Sequence, residues 1–91
     1  MYNGYENYET WHTMLVFDNE ESLYNYSRDL VKEAKAKEPD ERDAIHLIAK
    51  TLEQTVENMR PETNNLIWSA LMNSAQENID FYEIAENLYR E

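Results

Sequence analysis

Apolar residues recur every three or four positions along most of this chain, a spacing that places them on one face of an α-helix. No segment alternates between apolar and polar residues for long, and one glycine and two prolines leave little material for β-turns. The pattern predicts an all-α fold, a compact bundle of about five helices. A chain of 91 residues has room for one hydrophobic core, so we expect 1–91 to form a single helical domain.

Capping residues predict where the first two helices begin. Asn7 can cap a helix of about residues 8–17. Asp18 and Glu21 form a capping-box pattern that predicts the start of a second helix, and Pro39 closes it. The expected inner face of the first helix is Tyr8, Trp11, Met14 and Leu15, and that of the second is Leu23, Tyr24, Ser27, Leu30, Val31 and Ala34.

Two further helices have clear apolar seams. Asp40 can cap a helix of about residues 41–60, which ends where proline follows Arg60. Asp80 with Glu83 forms another capping box, which opens a last helix that runs to about residue 90. The seam of the first of these is Ile45, Ile48, Leu52, Val56 and Met59, and the inner face of the second is Phe81, Ile84, Ala85 and Leu88.

The segment 63–76 differs from the rest of the chain because it carries no charged residue. A helix that begins at Pro61 or Thr63 would be apolar in nearly every direction, and such a helix is usually buried. We therefore expect this uncharged helix to lie at the centre of the bundle.

The net charge is −11, and it is unevenly distributed. Residues 1–27 carry −5, residues 28–50 are neutral, and residues 51–91 carry −6. This balance opposes direct binding to nucleic acid or to anionic membranes. The absence of cysteine fits a reducing compartment, and no apolar stretch is long enough to span a bilayer, so we expect a cytoplasmic protein.

The residues that catalysis requires are scarce. The chain has two histidines, no cysteine and no glycine-rich phosphate loop, so we expect neither an enzyme nor a cofactor. Glu9 with His12 and Asp43 with His46 have the spacing of di-metal bundle ligands. Both carboxylates, however, fall in first helical turns where acids favour the helix dipole, and we expect no metal site.

Carboxylates and tyrosines are the candidate partner-binding residues. Glu53 and Glu57 are four apart on one helix and repel each other, which fold stability does not require. Neighbours on a helix face stand about 5–6 Å apart, not far from the spacing of phosphates along a nucleic-acid strand. The other candidates are Asp80, Glu83, Glu86, Glu20 and Glu21, helped by Tyr82 and Tyr89. The alternatives are a solvated acidic face and tyrosines that pack at the edge of the bundle.

The residues Asn7-Tyr8-Glu9-Thr10-Trp11 resemble the signature of a small domain family of unknown function found mainly in phage, plasmid and bacterial proteins. Leu23-Tyr24 matches that family after its first helix. The closing helix is similar too, through Ile79-Asp80-Phe81, Glu83-Ile84-Ala85 and Leu88. His12 departs from the asparagine expected at its position.

The resemblance implies a setting in mobile genetic elements, where small acidic proteins are often anti-CRISPR or anti-restriction inhibitors. We therefore expect a DNA mimic that blocks the nucleic-acid channel of a host defence nuclease or surveillance complex, a basic nucleic-acid-binding protein. The alternative is a phage or mobile-element interaction module without DNA mimicry. The sequence leaves a homodimer possible, and the hypothesis depends on whether folding joins the two acidic ends into one surface.

Overall fold

The computed structural model describes all of residues 1–91 and contains five helices. They are α1 (Tyr8–Asn19), α2 (Glu21–Lys37), α3 (Glu41–Met59), α4 (Leu66–Asn78) and α5 (Phe81–Tyr89). The all-α bundle predicted from the apolar spacing is thus confirmed. None of these helices is both long and apolar enough to cross a membrane.

The centre of the bundle is α3, which packs against both α2 and α5. Tyr26 in the first half of α2 hydrogen-bonds Thr55 near the end of α3 at 2.7 Å, so these two helices run antiparallel. Arg90, just beyond α5, pairs with Glu41 in the first turn of α3, so α5 is antiparallel to α3 as well. The core therefore forms among α2, α3 and α5, with α1 packed across α2 and α5.

Most apolar seams read from the sequence do face this core. It consists of fourteen buried apolar side chains: Met14, Phe17, Leu30, Val31, Ala34, Ala44, Ile45, Ile48, Ala49, Leu52, Phe81, Ile84, Ala85 and Leu88. The predicted inner face of α5 is confirmed in full. In α3 the seam fades toward the C-terminus, since Val56 is half-buried and Met59 is exposed.

Four side-chain caps were predicted, and three of them are confirmed. Asn7 accepts from the Thr10 amide, Asp40 from the amides of Arg42 and Asp43, and Asp80 from the Glu83 amide. Asp18 was predicted to cap α2, and that prediction is wrong: α1 continues through Asn19, and the α2 cap residue, Glu20, makes no side-chain cap bond.

Asp18 instead takes part in a three-way ion pair. Its carboxylate lies 2.7 Å from an Arg28 guanidinium nitrogen, and that same nitrogen lies 2.6 Å from the Glu91 carboxylate. The Arg28 side chain is half-buried, and a guanidinium that bonds two carboxylates is held in a more fixed geometry than an exposed single ion pair. Arg28 therefore ties the end of α1 and the C-terminus of the chain to α2.

The inner face of α1 differs from the one expected. Thr10, Met14 and Phe17 are the buried residues, while Tyr8 and Leu15 are exposed. The helix is rotated because Thr10 hydrogen-bonds the corner between α4 and α5, which turns Tyr8 outward. Outside the core, Tyr2, Tyr8 and Trp11 form an aromatic cluster, with the Tyr2 ring 5.1 Å from Tyr8 and 5.4 Å from Trp11.

The expectation that the uncharged helix is central is wrong. No residue of α4 is buried. Its backbone comes close only to that of α1, and its Gln76 side chain hydrogen-bonds Glu57 of α3. It begins at Leu66 with Asn65 as its cap, not at Pro61 or Thr63. The absence of charged residues does not by itself show that a helix is buried. In this structure the uncharged side of α4 faces outward.

Candidate acidic interface

The N-terminal segment folds back on itself before α1 begins. Tyr2 and Tyr5 exchange two backbone hydrogen bonds, at 2.6 and 2.8 Å, around a two-residue turn. In that turn Asn3 has a φ of 48° and Gly4 a φ of 90°. Asparagine and glycine are the two residues that adopt such left-handed conformations most readily, so the sequence favours this turn locally.

Three hydrogen bonds fix the start of α1 to the corner between α4 and α5. The side-chain amide of Asn7 donates to the Asn78 backbone carbonyl at 2.6 Å, and the Thr10 hydroxyl donates to the same carbonyl at 3.4 Å. The Asp80 backbone N–H in turn donates to the Thr10 hydroxyl at 2.9 Å. The residues on either side of α1's first turn are thereby placed next to the first turn of α5.

The capping box of α5 is shared with this N-terminal segment. In a complete box the Glu83 carboxylate would accept from the Asp80 amide, but that amide already donates to Thr10. Glu83 accepts instead from the backbone N–H of Glu6 at 2.9 Å. Glu6 is consequently held beside the two acids that open α5.

Glu6, Asp80 and Glu83 form a tight acidic cluster, in which one carboxylate oxygen from each lies within 4.8 Å of the others. A hydrogen bond to Asp80, followed by repulsion from the same carboxylate, raises the pKa of Glu6 above its ordinary value. This cluster joins an acid from the N-terminal part of the chain to two from the C-terminal part.

Further carboxylates continue the cluster on both sides. Glu53 and Glu77 line an open groove together with Glu6 and Asp80. Glu86 lines the neighbouring groove with Glu6, Asp80 and Glu83, and Glu57 lies beyond Glu53 and Glu77. We call this surface the acidic face, and it consists of Glu6, Glu53, Glu57, Glu77, Asp80, Glu83 and Glu86. Lys50, Arg60 and Arg90 border the same grooves.

Three carboxylates of the acidic face have local partners that were not expected from the sequence. Arg90, four residues after Glu86, lies 3.8 Å from its carboxylate. Lys50, three residues earlier on α3, lies 3.6 Å from the Glu53 carboxylate. Glu57 accepts a hydrogen bond from the Gln76 side chain of α4. An exposed pair such as Lys50 and Glu53 is worth about 0–1 kcal/mol, so the repulsion between Glu53 and Glu57 is softened but not removed.

The predicted tyrosines divide between two environments. Tyr82 is exposed, lines the grooves of the acidic face and hydrogen-bonds His46 through its hydroxyl. Tyr89 packs against the core, with the Lys35 ammonium 4.6 Å from its ring centre. Tyr5 also packs on the core, and burial raises the pKa of its hydroxyl. Of these, only Tyr82 lies on the acidic face.

Glu20 and Glu21 lie away from this surface. They follow the C-terminal end of α1, and a helix of twelve residues places that end about 18 Å from its start. The start of α1 is the end attached to Asn78 and Asp80. The structure therefore does not bring Glu20 and Glu21 together with the other predicted acids.

The two sequence pairs with metal-ligand spacing make other contacts. His12 stacks on the Tyr8 ring with centroids 5.4 Å apart, and His46 contacts Tyr82. The one group of three metal-capable side chains is Glu6, Asp80 and Glu83, which contains neither histidine. The residues that the sequence reading missed are Glu6 and Glu77. Glu6 shows no helical periodicity, and Glu77 belongs to a helix that was expected to be buried.

Comparison with curated proteins finds no match, and comparison with solved structures finds none. A protein-family model, in contrast, matches residues 1–91. The chain, whose N-terminal segment and fifth helix meet in an acidic face, therefore belongs to a family of unknown function, DUF7249.

Proposed function

We propose that this protein is an acidic DNA-mimic inhibitor that occupies the nucleic-acid channel of a host defence nuclease or surveillance complex, of the anti-CRISPR or anti-restriction type. The observation that carries the proposal is the acidic face. Its seven carboxylates come from the N-terminal segment, α3, α4, and α5 with its N-cap Asp80. Only three basic residues border its grooves. The protein would act in the cytoplasm of a bacterial host.

The spacing of the acidic face suits a basic channel. Glu83 and Glu86, like Glu53 and Glu57, are helix neighbours about 5–6 Å apart. Phosphates on one DNA strand advance about 3.4 Å along the axis and wind around it. Carboxylates at this density can meet the same lysines and arginines that otherwise contact successive phosphates.

Binding would be stoichiometric and electrostatically steered. Long-range attraction between the acidic face and a basic channel raises the association rate and falls steeply with salt. Tyr82, exposed within the same grooves, offers a large and rather rigid surface that slows dissociation once water is excluded. The resemblance of the first-helix signature to domains of phage and plasmid proteins supports the same setting.

The alternative, a phage or mobile-element interaction module without mimicry, is favoured by a different observation. The exposed apolar side chains of α4 could bind a protein groove in which charge is unimportant. Such binding would change little with ionic strength, because it rests on apolar burial.

The two functions separate in a capture experiment. Immobilised protein is incubated with a bacterial host lysate at about 0.05 and about 0.5 M salt, and the bound proteins are identified by mass spectrometry. A DNA mimic captures basic nucleic-acid-binding proteins at low salt, releases them at high salt and gives them up to added duplex DNA. Capture that persists at high salt and resists duplex DNA would contradict the proposal and favour the alternative.

A further inference from the structure

The outward face of α4 is an apolar surface that nothing in the fold covers. Leu66 is 86 % exposed, Ile67 71 %, Trp68 62 % and Leu71 53 %. Soluble proteins expose single apolar residues routinely, but four large ones within six positions of one helix form a patch. The contacts of α4 with the end of α3 are made by Ser69 and Gln76, which are not part of this patch, so the patch faces away from the core.

The exposed residues have the pattern of a docking helix. Ser69, Met72 and Gln76 are the half-buried residues of α4 and mark its inner side. On the opposite side Ile67, Ala70, Leu71 and Ser74 follow the spacing of one helical stripe, and all four are exposed. Leu66 and Trp68 flank that stripe. The small side chains of Ala70 and Ser74 leave room for another helix to approach closely.

Polar contacts hold α4 in place without covering this stripe. Arg60, the C-cap of α3, donates to the Gln76 side chain at 3.2 Å and to the Ser69 carbonyl at 3.3 Å. Asn7 holds the last carbonyl of the helix at Asn78. The Arg60 contacts lie on the inner side and the Asn7 contact lies at the C-terminal end of the helix, so α4 is held in place with its outer surface free.

We infer that the outer stripe of α4 is the interface of a homodimer, in which two copies of α4 pack against each other across a two-fold axis. A second copy is the occupant that the charges favour. The chain carries a net charge of −11, yet residues 63–76 carry none. Glu77, near the C-terminal end of α4, is the one charged residue of the helix. Two copies that meet along the part from Leu66 to Gln76 therefore bring no carboxylates of that part together, and a basic partner would find no opposite charge there.

The exposed apolar side chains of α4 supply about half of the area that a standard interface buries on each partner. An aromatic side chain such as Trp68 can bury about 150–250 Å², and leucine and isoleucine are somewhat smaller. At the exposed fractions given above, the four residues present on the order of 400–500 Å² of surface. Ala70, Ser74 and the ends of the helix add to this, toward the roughly 800 Å² per partner of a standard interface. A two-fold arrangement uses the same patch twice, as isologous dimers do.

The test is the mass in solution, measured by sedimentation equilibrium over about 1–500 µM protein at low and high salt. The expected mass is twice the 10.9 kDa of the chain, and salt should strengthen the dimer because it screens the repulsion between two acidic copies. A mass of one chain at every concentration and salt would overturn the inference and leave α4 to a different partner.

Two matched variants locate the interface. Ile67→Glu/Leu71→Glu introduces two charges into the stripe and should abolish the dimer. Ser22→Glu/Asn25→Glu adds the same two charges at exposed positions of α2 and should leave the dimer intact. Circular dichroism and the melting temperature check that both variants remain folded. If the stripe variant is a folded dimer, the interface is elsewhere and the inference is wrong.

A cysteine cross-link gives an independent readout that does not depend on disrupting the helix. The chain has no cysteine, so Ala70→Cys introduces a single thiol near the middle of the stripe. Mild oxidation should convert this variant to a covalent dimer, while Asn25→Cys on α2 should remain monomeric on a denaturing gel. Equal, slow cross-linking of both variants would contradict the proposed axis. None of these outcomes depends on the DNA-mimic proposal.

Discussion

The buried hydroxyl of Thr10 accepts a hydrogen bond from the backbone N–H of Asp80 at 2.9 Å, across 70 positions of sequence. This bond frees the Glu83 carboxylate from its usual capping role, and Glu83 then accepts from the Glu6 amide. The Thr10 hydrogen bond thus helps to place acids from both ends of the chain on one surface.

Replacing Thr10 with valine should destabilise the fold by about 1–3 kcal/mol. The shape of the side chain is kept, but the Asp80 amide loses its acceptor and the Asn78 carbonyl loses one of its two side-chain donors. Urea unfolding followed by circular dichroism measures the change. Thr13→Val is the matched control, because the Thr13 hydroxyl bonds only the Glu9 carbonyl within α1. Equal stability of the two variants would show that the Thr10 bonds contribute little.

The burial pattern predicts opposite responses in α3 and α4. Leu52 is fully buried in α3, so Leu52→Ala should cost about 2–5 kcal/mol. Leu66→Ala, in the exposed first turn of α4, should change the free energy of unfolding by less than about 0.5 kcal/mol. Both free energies are measured by urea unfolding at low protein concentration. A dimer dissociates under that condition, so the stabilities of single chains are compared. A large loss for Leu66→Ala would mean that α4 is packed more closely than the structure describes.

The raised pKa of Glu6 predicts a pH dependence of stability. A carboxyl whose pKa is raised on folding binds its proton more tightly in the folded chain. Its contribution is therefore most favourable at acidic pH and is lost as the pH rises from the ordinary value of 4.5 through the raised one.

Glu6→Gln tests this dependence. The stability of the variant minus that of the wild type should be larger at neutral pH than at about pH 4. At neutral pH the variant no longer places a third negative charge beside Asp80 and Glu83. Melting temperatures across the acidic range measure the difference. Glu33→Gln, at an exposed position of α2, is the control. If the two variants have parallel pH profiles, Glu6 does not titrate with the cluster.

Local signals in the sequence account for most of the helices and much of the core. The caps Asn7, Asp40 and Asp80 act through bonds to amides two or three residues away. The inner face of α5 is likewise set by helical spacing, and it is buried as predicted. Such features require no knowledge of how the chain folds back.

The predictions that were wrong concern residues whose position depends on a contact between segments distant in the sequence. Asp18 resembles a cap but pairs with Arg28, so α1 continues past it. Thr10 turns α1 away from the face that its aromatic residues suggested. The pattern of α4 is apolar nearly all round, and periodicity alone cannot show that its outer side is left uncovered. Glu6 joins the acidic face only through these tertiary hydrogen bonds.

The central claim is that the acidic face recognises a basic nucleic-acid-binding protein, and matched charge variants test it most directly. Glu53→Gln/Glu86→Gln removes two charges from the acidic face, while Glu20→Gln/Glu21→Gln removes two from the distant end of α1. The dissociation constant of each variant for the captured partner is measured over a salt series. We predict that the first variant binds at least about tenfold more weakly, with a shallower salt dependence, and that the second binds like the wild type. Equal affinities and equal salt slopes for both variants would contradict the account.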